Sequence, residues 1–193
     1  MLSDIGGLVG EECPGVHPDS PHLRTLSTKV CLLGSFAVGK TSLVRRFVFD
    51  RFDEQYTHTV GVQVNRKTLI VPQNEEFVEL TMLLWDMAGN GELPFDHIGY
   101  LGGASAAILV CDCTRPYTLD MVEKQAEELL SINAGARLVL AVTKRDLINQ
   151  RELKLTRVET AADRLNAPFF FVSSKTGIDV DALFRRLGRL IVE

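Results

Sequence analysis

No stretch of this chain holds the roughly 18 consecutive apolar residues that a membrane-spanning helix needs. Its opening, MLSDIGGLVGEEC, lacks the basic start and apolar core of a secretory leader. Neither sign of charge dominates: 21 Lys and Arg stand against 25 Asp and Glu, a formal net charge of −4, which leaves no basic footprint for nucleic acid. Cysteine is scarce. Cys13, Cys31, Cys111 and Cys113 show no pair-of-pairs spacing for zinc, and most lie in or beside apolar runs. Buried, reduced thiols and a cytoplasmic location are therefore expected. No cysteine follows Cys113 and residue 2 is Leu, so neither prenylation nor N-myristoylation is expected, and no stable membrane anchor.

What remains is an ordinary soluble composition, 46% hydrophobic and 24% charged, in 193 residues, the size of one domain with a substantial core. Residues 1–27 are rich in Gly, Pro, His and acid without sustained periodicity, and read as a mobile tail ahead of a domain over 28–193. From Lys29 onward, strand-like and helix-like segments alternate. VCLL (30–33) precedes a glycine loop, and TSLVRRFVF (41–49) repeats at helical spacing. Two strand patterns separated by QNEE read as a hairpin. AAILVCD (106–112), RLVLAVTK (137–144) and FFFV (169–172) read as buried strands, with helices over 118–132, up to Asn166 and over 181–192. Thr156 and Glu159 form a capping-box pattern. The pattern predicts an α/β fold: a six-stranded, mostly parallel sheet with one antiparallel hairpin strand and helices on both faces. In such sheets ligands bind beyond the carboxyl ends of the strands.

One motif lies at such an end. GSFAVGKT (34–41) matches G-x-x-x-x-G-K-[ST] between a strand and a helix, the phosphate loop of P-loop NTPases. Successive backbone N–H groups there form an anion nest reinforced by the helix N-terminus. In this pattern Lys40 reaches the outer phosphates and the Thr41 hydroxyl ligates Mg²⁺. The loop alone does not distinguish ATP from GTP.

Further segments follow at strand ends: WDMAG (85–89), TKRD (143–146) and SSK (173–175), with Thr59 in YTHTVGVQV (56–64). In this order the set resembles the Ras superfamily of small GTPases, and within it the Rab branch, to which TVGV (59–62) and GYLGGA (99–104) are similar. The resemblance spans 29–192. It implies that Gly34, Ser35, Phe36, Ala37, Val38, Gly39, Lys40, Thr41 and Ser42 surround the phosphates. Thr41, Thr59 and Asp86 would hold Mg²⁺, Asp86 through water. Gly89 and Thr59 would sense the γ-phosphate, with Lys40 and Asn90 completing the catalytic set. Phe52 and Lys144 would flank the base, and Tyr56 would close over the phosphates. Asp146 would accept guanine's N–H groups, with Thr143, Ser173, Ser174 and Lys175 completing the base pocket. The implied activity is a GTP/GDP switch with Mg²⁺, meeting effectors and regulators through segments 53–65 and 87–103.

Three positions depart from the family pattern. Thr143 replaces the usual Asn that ties the base loop to the phosphate loop. Asn90 stands where the family's catalytic Gln orients water, and is one methylene shorter. Phe36 occupies a position that is normally Gly or another small residue. A displacement on the order of 1 Å can cost about a hundredfold in rate, so slow hydrolysis is expected. The competing readings are a hydrolysis-deficient pseudo-GTPase that serves as a constitutive interaction module, and an ATP-using P-loop enzyme. Arg45, Arg46, Arg185 and Arg186 read as solvated helix faces.

Overall fold

The chain alternates strand and helix as β1 (Arg24–Leu33), α1 (Lys40–Phe49), β2 (Val62–Gln73), β3 (Glu76–Met87), α2 (His97–Leu101), β4 (Ala104–Asp112), α3 (Tyr117–Ile132), β5 (Arg137–Thr143), α4 (Leu155–Arg164), β6 (Phe169–Phe171) and α5 (Val180–Val192). These elements come from a computed structural model that describes residues 23–54, 59, 61–87, 97–149 and 155–193. The strands form one sheet in the order β2-β3-β1-β4-β5-β6. All neighbours are parallel except β2 and β3, the expected hairpin.

Alternation along the central strands explains why helices cover both faces. Val30 and Leu32 of β1, with Ala106, Ile108 and Val110 of β4, point to one core, while Cys31, Leu33, Ala107, Leu109 and Cys111 point to the other. The first core is closed by Leu43, Val44 and Phe47 of α1 and by Leu183, Phe184 and Leu187 of α5. The Phe47 and Phe184 rings stack there at 3.7 Å. The second is closed by Leu119, Val122, Ala126 and Leu129 of α3 and Val158 and Ala161 of α4. Each helix presents its apolar stripe at 3.6-residue spacing, and burying it is what fixes the helix.

Two boundaries differ from the sequence reading. The strand β1 starts at Arg24, so residues 24–27 belong to the sheet and not to the tail; residues 1–22 lie outside the described residues. Arg24 to Ser27 pair with Val78 to Thr81 of β3, and that backbone pairing extends a strand whose polar side chains conceal it. Helix α4 begins at Leu155, which puts Thr156 inside the first turn and removes it from the cap position. There its carbonyl accepts the Thr160 hydroxyl.

The hairpin closes through the two residues Asn74 and Glu75, with Asn74 in the left-handed region at φ 54°. Its register runs from Gln73↔Glu76 to Val62↔Met87. The thiols of Cys31, Cys111 and Cys113 are free. Burial pushes them up to about 11, about 12 and about 11, which suppresses thiolate chemistry. Cys13 lies outside the described residues. Among the described residues no helix is long and apolar enough to cross a membrane.

Candidate functional site

The carboxyl ends of β1, β3, β5 and β6 meet along one edge of the sheet, and a cavity of about 510 Å³ opens there. Its walls include Phe36, Ala37, Val38, Gly39, Lys40, Thr41, Ser42, Phe52, Thr59, Thr143, Lys144, Asp146, Ser174 and Lys175, all named from the sequence. Gly34, Ser35, Asp86 and Ser173 stand behind that wall and act on residues within it. Tyr56, Gly89 and Asn90 lie outside the described residues.

The phosphate loop leaves β1 at Gly34, whose φ is 147° and whose position admits no Cβ. An added one would lie 2.2 Å from the Val110 backbone oxygen of the neighbouring strand. Ala37 (φ 56°) and Gly39 (φ 103°) are both left-handed, the backbone sequence that turns consecutive N–H groups inward as an anion nest. Gly39 is also the N-cap of α1, so the helix's positive end faces the same space. The Val38 side chain, fully buried, pins the loop to the core.

Lys40 is buried and folds back on its own loop, donating to the Gly34 carbonyl at 2.8 Å and the Ser35 carbonyl at 3.0 Å. Burial pushes its ammonium down to about 8, against the opposing charge of Asp86. The Thr41 hydroxyl donates to Asp86 Oδ2 at 2.5 Å and lies 2.8 Å from the Thr59 hydroxyl. Burial pushes the Asp86 carboxyl up from its ordinary value, opposed first by the Thr41 hydrogen bond and then by Lys40 and Arg45. Asp86 Oδ1 is buried and has no hydrogen-bond partner among the described residues. Three oxygen-bearing side chains from three segments thus converge on one point, with an acceptor to spare. A hard divalent cation such as Mg²⁺, directly or through its water, suits that donor set.

At the opposite end, Lys144 takes a left-handed conformation (φ 61°) and starts a single 3-10 turn over Arg145–Leu147. Asp146 Oδ1 accepts the Ser173 hydroxyl at 2.6 Å, and Ser173 Oγ in turn accepts the Thr176 N–H at 3.1 Å. The carboxylate is thereby fixed at the cavity wall. The Thr143 hydroxyl lies 2.5 Å from the Val38 carbonyl and 2.9 Å from the Cys111 carbonyl, and its single proton goes to one of them at a time, with the shorter contact to Val38. The tie between base loop and phosphate loop expected of an Asn is therefore made by the shorter Thr.

A second tie was not visible in the sequence. Asp112, the buried last residue of β4, receives Lys144 Nζ at 2.7 Å and Arg115 Nε at 2.8 Å on one oxygen. Its other oxygen accepts the Thr114 N–H and hydroxyl. Arg115 then donates to the Phe36 carbonyl at 3.0 Å. Burial alone would raise the Asp112 carboxyl, but Lys144, Thr114 and Arg115 hold it below its ordinary value. The Phe36 ring is 40% exposed at the cavity rim while its carbonyl is held from outside.

Other wall residues were also missed: Arg45, Asp53, Glu54, Met87 and Leu147. Leu147 had a signal, an apolar residue directly after the TKRD aspartate that is now 63% exposed beside the pocket. The reading of Arg46 as solvated needs correction. Its side chain is only 18% exposed and bonds the carbonyls of Ser174 and Lys175, whereas Arg185 is the surface residue expected, paired with Asp181.

A family model described as the Ras family matches residues 29–193. The chain belongs to the Ras family. Its relatives place it near the Rab branch: it is 36% identical over 165 residues to the Ras-related protein Rab-22A of Homo sapiens, covering 84% of this chain and 82% of that one. The Ras-related protein RabJ of Dictyostelium discoideum is 33% identical over 169 residues, covering 87% of this chain. This Rab-like chain spans 64% of the length of RabJ. The six-stranded sheet with one antiparallel pair is the Ras-type arrangement.

Proposed function

We propose that this protein is a guanine-nucleotide switch that holds GTP or GDP with Mg²⁺ and hydrolyses GTP slowly. The observation that carries the proposal is one cavity with two unlike ends. At one end an anion nest adjoins the Thr41–Thr59–Asp86 oxygen cluster; at the other stands the fixed carboxylate of Asp146. A triphosphate's charge suits the first end. A purine presenting adjacent N–H groups suits the second, where adenine has no such ring N–H and would leave the carboxylate unmatched.

Within this reading the loop N–H groups and Lys40 neutralise the outer phosphates. Thr41, Thr59 and Asp86 hold the cation, which when bound spreads the charge developing between the β- and γ-phosphates. Lys144 and Phe52 flank the base, and Ser174 offers a backbone N–H to its 6-oxygen. Effectors and regulators would meet segments 53–65 and 87–103, which contain Thr59, and the folded unit would run over 24–193 in a cytoplasmic setting.

Slow turnover follows from Asn90 and Phe36. Competition binding with GTP and ATP tests the base assignment, with GTP preferred by at least about 100-fold. A single-turnover assay tests the rate: Asn90→Gln is expected to accelerate hydrolysis by about tenfold or more. Fast hydrolysis by the unsubstituted protein would sink the slow-turnover claim. If Asn90→Gln changes nothing while Phe36→Gly accelerates, the ring at the rim is the dominant obstruction. The interaction-module reading is separated by partner binding: a switch discriminates GTP from GDP states, and a constitutive module does not.

A further inference from the structure

The loop that carries Ser174 and Lys175 is not held in place by its own turn alone. Arg46, on the helix that begins with Lys40 and Thr41, reaches across to it. Arg46 Nε donates to the Ser174 carbonyl at 2.7 Å, and Nη2 donates to the Lys175 carbonyl at 2.9 Å. The third corner, Nη1, bonds the Asp50 carboxylate at 2.8 Å and so anchors the guanidinium to the end of its own helix. The planar fork thus spans two consecutive carbonyls, which a single-point ammonium does not match. Gly177 lies close along the same side chain, where an added Cβ would sit 3.9 Å from Arg46 Cδ.

The consequence is one of direction. In a trans peptide the C=O and the following N–H point opposite ways. Fixing the Ser174 carbonyl on Arg46 therefore turns the Lys175 N–H away from Arg46. On the cavity side, neither the Ser174 nor the Lys175 N–H has a backbone partner among the described residues, whereas Thr176 and Gly177 are satisfied by Ser173. Both residues line the cavity.

We propose that Arg46 is a positioning residue for guanine recognition, fixing the 174–175 backbone so that its N–H groups meet the 6-oxygen of the base. The inference rests on the guanine reading above and deepens it. It also makes α1 a strut between the phosphate end of the site and the base end, because the helix that opens with Lys40 and Thr41 holds the base loop six residues later.

Two diphosphates test it: GDP, and 2-aminopurine riboside diphosphate, which keeps the 2-amino group but lacks the 6-oxygen and, with it, the ring N1–H that faces Asp146. The unsubstituted protein is expected to prefer GDP. Arg46→Ala is expected to weaken GDP at least tenfold while changing the 2-aminopurine nucleotide less than threefold, narrowing the preference to the share that Asp146 supplies. Arg46→Lys, which keeps charge and stem but loses the fork, is expected to show most of the same narrowing, and it decides the matter if the alanine variant does not fold. An unchanged preference in a folded variant, or an equal loss for both nucleotides, overturns the positioning role while leaving the guanine reading intact. Equal binding of the two nucleotides by the unsubstituted protein overturns the guanine reading and the proposal with it.

Discussion

At the base end of the cavity the side chains and carbonyls of the wall are held from within the chain, with only the Ser174 and Lys175 N–H groups left over, whereas at the phosphate end a buried carboxylate oxygen has no partner among the described residues. Asp146 is held by Ser173, Lys144 by Asp112, the Ser174 and Lys175 carbonyls by Arg46, and the Thr143 hydroxyl lies against the Val38 and Cys111 carbonyls. Lys40, by contrast, has turned back on its own loop with a depressed ammonium, and buried Asp86 keeps an oxygen without a partner. A buried polar group left unmatched costs about 1–3 kcal/mol, more if charged. The base end is thus preorganised, and selectivity there requires little rearrangement. The phosphate end stores a deficit that a ligand relieves, so much of the affinity should arise there.

The sharpest way to break this contrast is Lys40→Met. If the phosphate end is organised for ligand and not for stability, the variant should lose at least about 100-fold in GDP affinity, as expected for charge-assisted bonds. Its nucleotide-free stability should change by no more than about 1 kcal/mol, because relief of a buried charge offsets two carbonyls left without donors. Titration calorimetry paired with urea melts reads both quantities. A large loss of stability would erase the distinction between the ends.

The base end should behave in the opposite way. Ser173→Ala removes the holder of Asp146 and the acceptor of the Thr176 N–H in one step. It should cost about 1–2 kcal/mol of stability together with about a tenfold loss of GDP affinity. Binding that falls with no change in the melt would mean that the base end is no better satisfied than the phosphate end.

The smallest expected effect concerns acid. The folded Asp112 carboxyl lies below its ordinary value of 3.8, so its contribution is fully present above that value and is lost as pH falls through the folded one. Melts between pH 6 and about pH 3 should show Asp112→Asn with a flatter acid limb than the unsubstituted protein. Parallel limbs would remove Asp112 from the acid response.

The contrast also marks how far the sequence could be read. Motifs contiguous along the chain, such as GSFAVGKT, TKRD and SSK, declare themselves because their chemistry lies in local backbone shape and fixed spacing. The alternation of apolar runs likewise announces the sheet and its hairpin. The supports are different. Arg46, Asp112 and Arg115 are ordinary charged residues in their local settings, and nothing near them in sequence names the carbonyl or carboxylate they meet more than 20 residues away or across the sheet. Polar strand ends such as Arg24–Ser27 were hidden for the same reason: their partner lies on β3 and not beside them.

The hairpin turn at Asn74 and Glu75 has a practical use. Twelve residue pairs run from Gln73↔Glu76 to Val62↔Met87, about 37 Å of strand between the turn and the end where Thr59 and Met87 face the cavity. A dye, tether or short inserted epitope placed at those two residues would ride on the molecule at the far side from its ligand. The same sheet that delivers the nucleotide groups to one edge therefore offers a handle at the other, from which occupancy can be watched without touching it.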